Sequence, residues 1–420
     1  MEINNEETVF NIDMSDKLQI VDSNEKKPLV HTMSSTSDIY EIISYFLRIN
    51  NGDEPFYIVD LTEAQCKYQQ FVKCLPRVQP FYAIKSNPDP MILEVLSRMG
   101  SGFDCASKDE IIMAKATGIP VEKILYANPT KDISSLQFAR SQDVDLVTFD
   151  SVSELDKIKV FHPDAQCIIR IKVEDSGSEC QFSSKFGCGT DEAGDLLKIA
   201  KIHDLNIVGI SWHVGSNCKV QGQYDKAFRD ARNVYDMAKE LGFNMNIIDM
   251  GGGYPGTDNP SGGITFEMLA DEINLAIDKY FGNIPNMRFI AEPGRFMCTS
   301  SHTLVTTVIG IKYNTDQETK EKEYKYTLSE SVYASFNCII FDHAKPIILP
   351  FNERGERTVK STLFGRSCDS IDCITREAYL PKLAIGDKLF VENFGAYTRS
   401  SSSHSFNGFK PAHIYYIIRT

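Results

Sequence analysis

Between residues 80 and 293 the chain repeats one pattern eight times: a short, nearly continuous apolar run, then a stretch with apolar residues at helical spacing. The runs are PFYAIK (80–85), SGFD (101–104), ILYAN (124–128), LVTF (146–149), CIIRIKV (167–173), VGISWHV (208–214), NIIDM (246–250) and RFIAE (288–292). Strands that are apolar on both faces must be covered on both, which a parallel sheet wrapped by its own crossover helices achieves. The segments between them, such as MILEVLSRM (91–99), YDKAFRDARNVYDMAKELG (224–242) and TFEMLADEINLAIDKYF (265–281), have the amphipathic spacing of such helices. Eight units in roughly 215 residues match a closed eight-stranded (β/α) barrel in count and size. An open doubly wound sheet is the competing architecture, and no GxGxxG follows an early strand to favour it.

Beyond residue 300 the character changes. SHTLVTTVIGIKYN, KEYKYTLSE, AKPIILPF, DKLFVENFG and PAHIYYIIRT are β-rich and separated by turns, and residues 314–323 (NTDQETKEKE) predict a solvated loop. The expectation is an α/β protein: an N-terminal segment over 1–50 that partly joins the β domain, a barrel over 51–300, and a mostly antiparallel β domain over 301–420. The net charge of −13 argues against nucleic acid as a partner and mildly favours a cationic small ligand. Eleven cysteines lie scattered in apolar segments without a zinc-like pair of CxxC motifs, which reads as free thiols in a reducing compartment. The acidic opening MEINNEETVFNIDMSDK has no leader pattern, and no run reaches the roughly eighteen apolar residues of a membrane span, so a cytoplasmic location is expected.

In eight-stranded barrels chemistry gathers where loops follow the strands. Those positions here hold Lys85, Asp104, Asn128, Arg170, His213, the triplet Gly251-Gly252-Gly253, and Glu292. An amine delivered at the end of an apolar strand can form a Schiff base with a carbonyl cofactor. Three residues without Cβ can turn amides toward an anion, with Arg295 and Ser216 as further donors; phosphate commonly sits at loops seven and eight of this architecture. Glu292 suits a pyridine nitrogen and His213 a flat ring. Arg170, if buried, needs a partner. Each has a plainer alternative: a surface lysine, a tight turn, a Glu292–Arg295 bridge, a core histidine. In the second domain, Cys368 beside Asp369 and Asp372 reads as a proton donor near a cation site, or as an ordinary loop cysteine. Asp342 offers a second acid, and Tyr397 either contacts phosphate or packs.

These segments together resemble the eukaryotic ornithine decarboxylases, of the alanine-racemase-like barrel group that uses pyridoxal 5'-phosphate. The resemblance runs from about residue 45 to 420 and rests on PFYAIKSN (80–87), GFDCAS (102–107), HVGS (213–216), DMGGGYPG (249–256), EPGR (292–295), YASFNCIIFDHA (333–344), CDSID (368–372), ENFGAY (392–397) and FNGF (406–409). It implies decarboxylation of L-ornithine to putrescine, with Lys85 as the internal aldimine, Glu292 on the pyridine nitrogen and His213 on the ring. It assigns phosphate to Ser216, Gly252, Gly253, Arg295 and Tyr397, and adds Asp104 and Arg170 to the cofactor site. The family's head-to-tail homodimer would share two active sites. In each, Asp342 and the other subunit's Asp369 would hold the δ-ammonium, and that subunit's Cys368 would protonate the carbanion. Lys185 and Asp372 resemble the family's charge pair across the dimer interface. A regulatory protein of the antizyme type is a further implied partner. The chain departs from the family at Ser329-Glu330-Ser331, at Arg366-Ser367 and at Ser370, which bears on the loop around Cys368. The rival readings are a lysine or arginine decarboxylase of the same fold, an amino-acid racemase, and a non-catalytic regulator.

Overall fold

The computed structural model describes residues 28–50, 52–257, 263–315, 317–318, 320, 322–352, 358–403 and 405–420. The eight apolar runs form one closed, wholly parallel barrel. Its strands are β1 (Val78–Ala83), β2 (Gly102–Cys105), β3 (Ile124–Tyr126), β4 (Leu146–Phe149), β5 (Gln166–Arg170), β6 (Asn206–Ser211), β7 (Ile247–Asp249) and β8 (Arg288–Ala291). They pair in chain order, and β8 closes on β1 with Phe289 opposite Val78. The open-sheet alternative is thereby excluded.

The strand period of two sorts the side chains. Phe81, Leu125, Leu146, Ile168, Val208, Ile247 and Ile290 fill the barrel, while Tyr82, Tyr126, Ile169 and Ile248 join the larger core shared with the helices. Gly102 lacks a Cβ where one would stand 2.6 Å from the Phe81 ring. Counting onward by two from inward residues reaches Asp104, Arg170, Asp249 and Glu292, so the barrel's packing aims these groups at its mouth. On β6 a register shift sets Gly209 opposite Ile168, which leaves Ser211 and then His213 on the inner side.

One unit shows how sequence sets the local fold. β1 stops at Ala83, not at Lys85, because Ile84–Ser86 forms a single 3₁₀ turn, with Ser86 Oγ donating to Ala83 O at 2.8 Å. The helix Pro90–Met99 follows. Asp89 caps it by accepting from the amides of Met91 and Ile92, Pro90 supplies a preset first residue, and Gly100 ends it at φ 99°. Its buried Ile92 and Leu96 each contribute about 1.5–3 kcal/mol of apolar burial.

The second sheet is built on the 14-residue strand His302–Thr315. Phe56–Asp60 and Lys388–Val391 flank its first half and Lys322–Leu328 its second, all antiparallel. The sheet is mostly antiparallel, with three parallel pairings, and runs outward to Val30–Met33 beside His413–Arg419 at one edge and Cys373–Leu380 at the other. Phe56–Asp60 thus belongs to this sheet although it lies past residue 51, and the passage into the barrel comes at the helix Leu61–Cys74. Beyond residue 300 the sequence reading lacks the strands Val359–Phe364 and Cys373–Leu380; the second is partly exposed and carries charges, which hides its period. Of AKPIILPF only Leu349–Pro350 is strand. Residues 314–315 and 322–323, read as loop, extend the hairpin strands; Asp316, Thr319 and Glu321 lie outside the described residues. Among the described residues no helix is long and apolar enough to cross a membrane.

Candidate active site

A cavity of about 640 Å³ opens at the C-terminal end of the barrel strands. Lys85, Asp104, Arg170, His213, Ser216 and Glu292 line it from the barrel; Asp342 and Tyr397 line it from the second domain. The chain after β5 contributes Cys180, Phe182, Lys185 and Phe186.

Lys85 points its amine into this space and pairs there with Asp104, which is fully buried and whose Oδ1 has no partner among the described residues. Burial opposes the lysine's charge, but Asp104 and then Glu292 outweigh it and hold the amine above its ordinary value. Glu292 is pushed well above the carboxylate range, first by burial and then by Asp104 and Asp249. Burial likewise raises Asp249, to about 7. Three acids therefore face two cations, Lys85 and Arg170, and the cluster retains a proton that isolated carboxylates would release.

Asp249 is the site residue that sequence reasoning missed. It ends β7 on the inward side, where the three glycines that follow drew the attention. Gly251 N donates to its Oδ1 at 3.0 Å, and Glu292 N donates to Gly251 O at 2.7 Å, which sets the two acids side by side.

The glycines have separate reasons. Gly251 sits at φ +61° with its missing Cβ 2.1 Å from Trp212 O, and Gly253 at φ +117°; both need the left-handed region. At Gly252 the obstacle is the site itself: a Cβ would stand 2.8 Å from Glu292 O and 2.9 Å from His213 Nε2. The carbonyls of Gly252 and Gly253 accept from Tyr224 Oη and Cys218 N, both at 2.9 Å.

His213 accepts from Gly215 N through Nδ1 at 3.0 Å, which fixes the proton of the neutral ring on Nε2. Burial, then Arg170 and Lys85, keep its pKa well below normal, so a flat neutral ring faces the cavity. Phe182 packs edge-on against it at 4.9 Å. The partner that Arg170 needs is a ring: among the described residues its guanidinium stacks on Phe186, 5.0 Å from the ring centre.

Arg295 gathers the phosphate candidates. Its Nη2 donates to Ser216 Oγ at 3.0 Å and to Asp342 Oδ1 at 2.7 Å, and its guanidinium lies 5.0 Å from the Tyr397 ring centre. Its Nε is buried without a partner among the described residues. Tyr397 is held at φ +55°, with its N–H donating to Ser86 O at 2.8 Å, so the turn carrying Lys85 and the loop from the second domain are tied together.

Cys368 and Asp369 are not brought to this cavity. They lie on the turn after Val359–Phe364, with Cys368 exposed and Asp369 accepting from Tyr333 Oη at 2.5 Å. Asp372, expected to face a second subunit's Lys185, is buried in its own chain, where it accepts from Val332 N, Ser367 N and Ser331 Oγ at 2.9–3.0 Å.

The cavity suits pyridoxal phosphate. Ser216 lines it and is bonded to Arg295, a cation suited to an anion there, while Lys85 presents an amine and Glu292 is an acid able to face a ring nitrogen beside the neutral His213 face.

Residues 61–299 match the family described as pyridoxal-dependent decarboxylase, pyridoxal binding domain. A mouse (Mus musculus) ornithine decarboxylase is 40% identical over 379 residues, covering 88% of this chain and 82% of its own. At the same 40% identity stands antizyme inhibitor 2 of Xenopus laevis, with coverage of 90% and 83%. Among solved structures, the arginine decarboxylase of Paramecium bursaria Chlorella virus superposes with a TM-score of 0.84 at 33% identity, over 90% of this chain and all of that one.

Proposed function

Since this chain belongs to the pyridoxal-dependent decarboxylases, we propose that it converts L-ornithine to putrescine and CO₂ with pyridoxal 5'-phosphate held in the barrel-mouth cavity. The observation that carries the reading is the joint placement of the Lys85 amine and the proton-retaining Glu292 in one cavity with Ser216, which Arg295 contacts from behind the lining. The cofactor, when bound, supplies a conjugated cationic ring into which the electrons of the breaking Cα–carboxylate bond spread.

The chain's own residues set the rest. Lys85 Nζ is the attachment point. Arg295, Ser216 and Tyr397 hold the phosphate, with the backbone at Gly252 and Gly253 close by. Burial, then Asp104 and Asp249, hold a proton at the Glu292 carboxyl; facing the ring nitrogen, Glu292 would pass that proton to it and stay as the carboxylate paired with the charged ring. His213 supports one face of the ring and, being neutral, does not compete for its positive charge. Phe182 and Phe186 cover the mouth and keep water from the reacting carbon.

Asp342 takes the far ammonium of the substrate, together with Asp369 of the partner subunit, and Cys368 of the partner subunit delivers the proton to Cα. A homodimer with two shared sites is therefore part of the proposal. What supports it is that both residues stand on a turn outside this chain's own cavity, while Asp342 lines that cavity. The protein acts in the cytoplasm, and its likeness to an antizyme inhibitor makes a regulatory protein of the antizyme type a further proposed partner.

Purified protein supplied with pyridoxal phosphate should release putrescine from ornithine in preference to cadaverine from lysine or agmatine from arginine. A larger kcat/KM for lysine or arginine would move the substrate. No turnover of any of the three, with cofactor bound, would favour a regulator.

A further inference from the structure

Two of the sequence departures, Ser329-Glu330-Ser331 and Arg366-Ser367, meet at one place, with Arg366 N donating to Glu330 O at 3.2 Å. The Arg366 side chain is only 7% exposed. Its Nη2 donates to Lys410 O at 3.1 Å, its guanidinium lies 4.3 Å from the Phe409 ring centre, and Nη1 pairs with Glu54 at 2.9 Å. Two more rungs join the same pair of segments. Cys368 N donates to Asn407 Oδ1 at 2.9 Å, and Tyr333, whose hydroxyl holds Asp369, stacks on Phe406 at 3.9 Å. The loop 366–369 is thus fastened along its length to residues 406–410.

We propose that Arg366 is a positioning residue: it clamps segment 406–410 onto the loop 366–369 and so fixes how Cys368 and Asp369 are presented to a partner's cavity. The inference rests on the reading above that these two residues act there. The physical argument is one of geometry. Cys368 is exposed, so its direction comes from its backbone, and that backbone is held by Asn407 on the opposing segment. Arg366 is the group that bonds that segment at Lys410 and stacks on it at Phe409. A planar guanidinium stacks flat on the ring while the donors along its edge stay free for the carbonyl, a geometry an ammonium matches less well. Glu54 is largely exposed, and its pair adds little.

The test uses the full-length, cofactor-loaded protein. It reads the alkylation rate of Cys368 by peptide mass analysis, amide exchange over 366–372 and 405–410, and steady-state kinetics. Arg366→Ala should raise Cys368 alkylation by about fivefold or more, because the thiol is then held less firmly in the partner's cavity; it should lower kcat for the same reason, and speed exchange in both segments, where local opening governs the reading, but not in the barrel. Arg366→Lys should fall between it and the parent, and Glu54→Gln should match the parent. Unchanged alkylation and exchange in Arg366→Ala would overturn the proposal. Should that variant fail to fold, Phe409→Leu removes the stacking face alone, and unchanged exchange there overturns it equally. A loosened loop with parental kcat, where Cys368→Ala abolishes turnover, also counts against it. If Cys368→Ala turns over normally, the failure lies with the partner-site reading on which the inference stands.

Discussion

Arg295 Nη2 and Asp342 Oδ1 meet at 2.7 Å across the boundary between barrel and second sheet, joining the proposed anchor for phosphate to the proposed anchor for the substrate's far ammonium. On that proposal the two binding events are electrostatically linked: a phosphate on Arg295 would weaken its hold on Asp342 and leave the acid freer for an ammonium. Asp342→Asn should leave pyridoxal phosphate bound at least as tightly, by absorbance titration. It should cut kcat/KM for ornithine by at least about tenfold, or roughly 1.4 kcal/mol. Weaker cofactor binding with unchanged ornithine kinetics would reverse the assignment.

Lys85 should carry the cofactor. Borohydride reduction of loaded protein, then peptide mass analysis, should find the pyridoxyl group on Lys85, and Lys85→Ala should lose the visible absorbance band. A label on any other lysine would sink this.

The buried acids give a pH signature. Asp249 is raised to about 7 by burial, against an ordinary value near 4. The folded chain therefore holds a proton that the unfolded chain releases between those values, so stability is lost as pH rises through this window. Asp249→Asn should make the fall in urea midpoint between pH 4 and 7 shallower in cofactor-free protein. Parallel profiles for the two proteins would show that Asp249 does not hold that proton.

Shared sites can be read by mixing. Lys85→Ala and Cys368→Ala chains, each inactive, should recover about one quarter of parental sites on random equal pairing. Proven subunit exchange without recovery would rule out sites completed by a partner.

The barrel was legible because each of its strands is apolar on both faces, and no other arrangement covers eight such strands so economically. Asp104, Arg170 and Glu292 were legible from their places at the ends of those strands, where loops follow. Asp249 was legible by that rule too, yet was passed over for the glycines beside it. Contacts between distant segments were not legible. Nothing local to Arg295 names Asp342, and nothing local to Arg170 distinguishes Phe186 from a carboxylate. The strand Cys373–Leu380 escaped because an edge strand, exposed on much of its surface, alternates too weakly to read.

Phe56–Asp60 lies between His302–Thr315 and His413–Arg419 in the second sheet. Both neighbours leave the ribosome only after the whole barrel has been made. Through that interval the strand FYIVD has two bare edges and an apolar sequence, a combination that invites pairing with the wrong chain. Synthesis thus proceeds with the sheet's second strand waiting for its last, and a pause before residue 302 would prolong the period in which both edges are bare and the nascent protein is most open to aggregation.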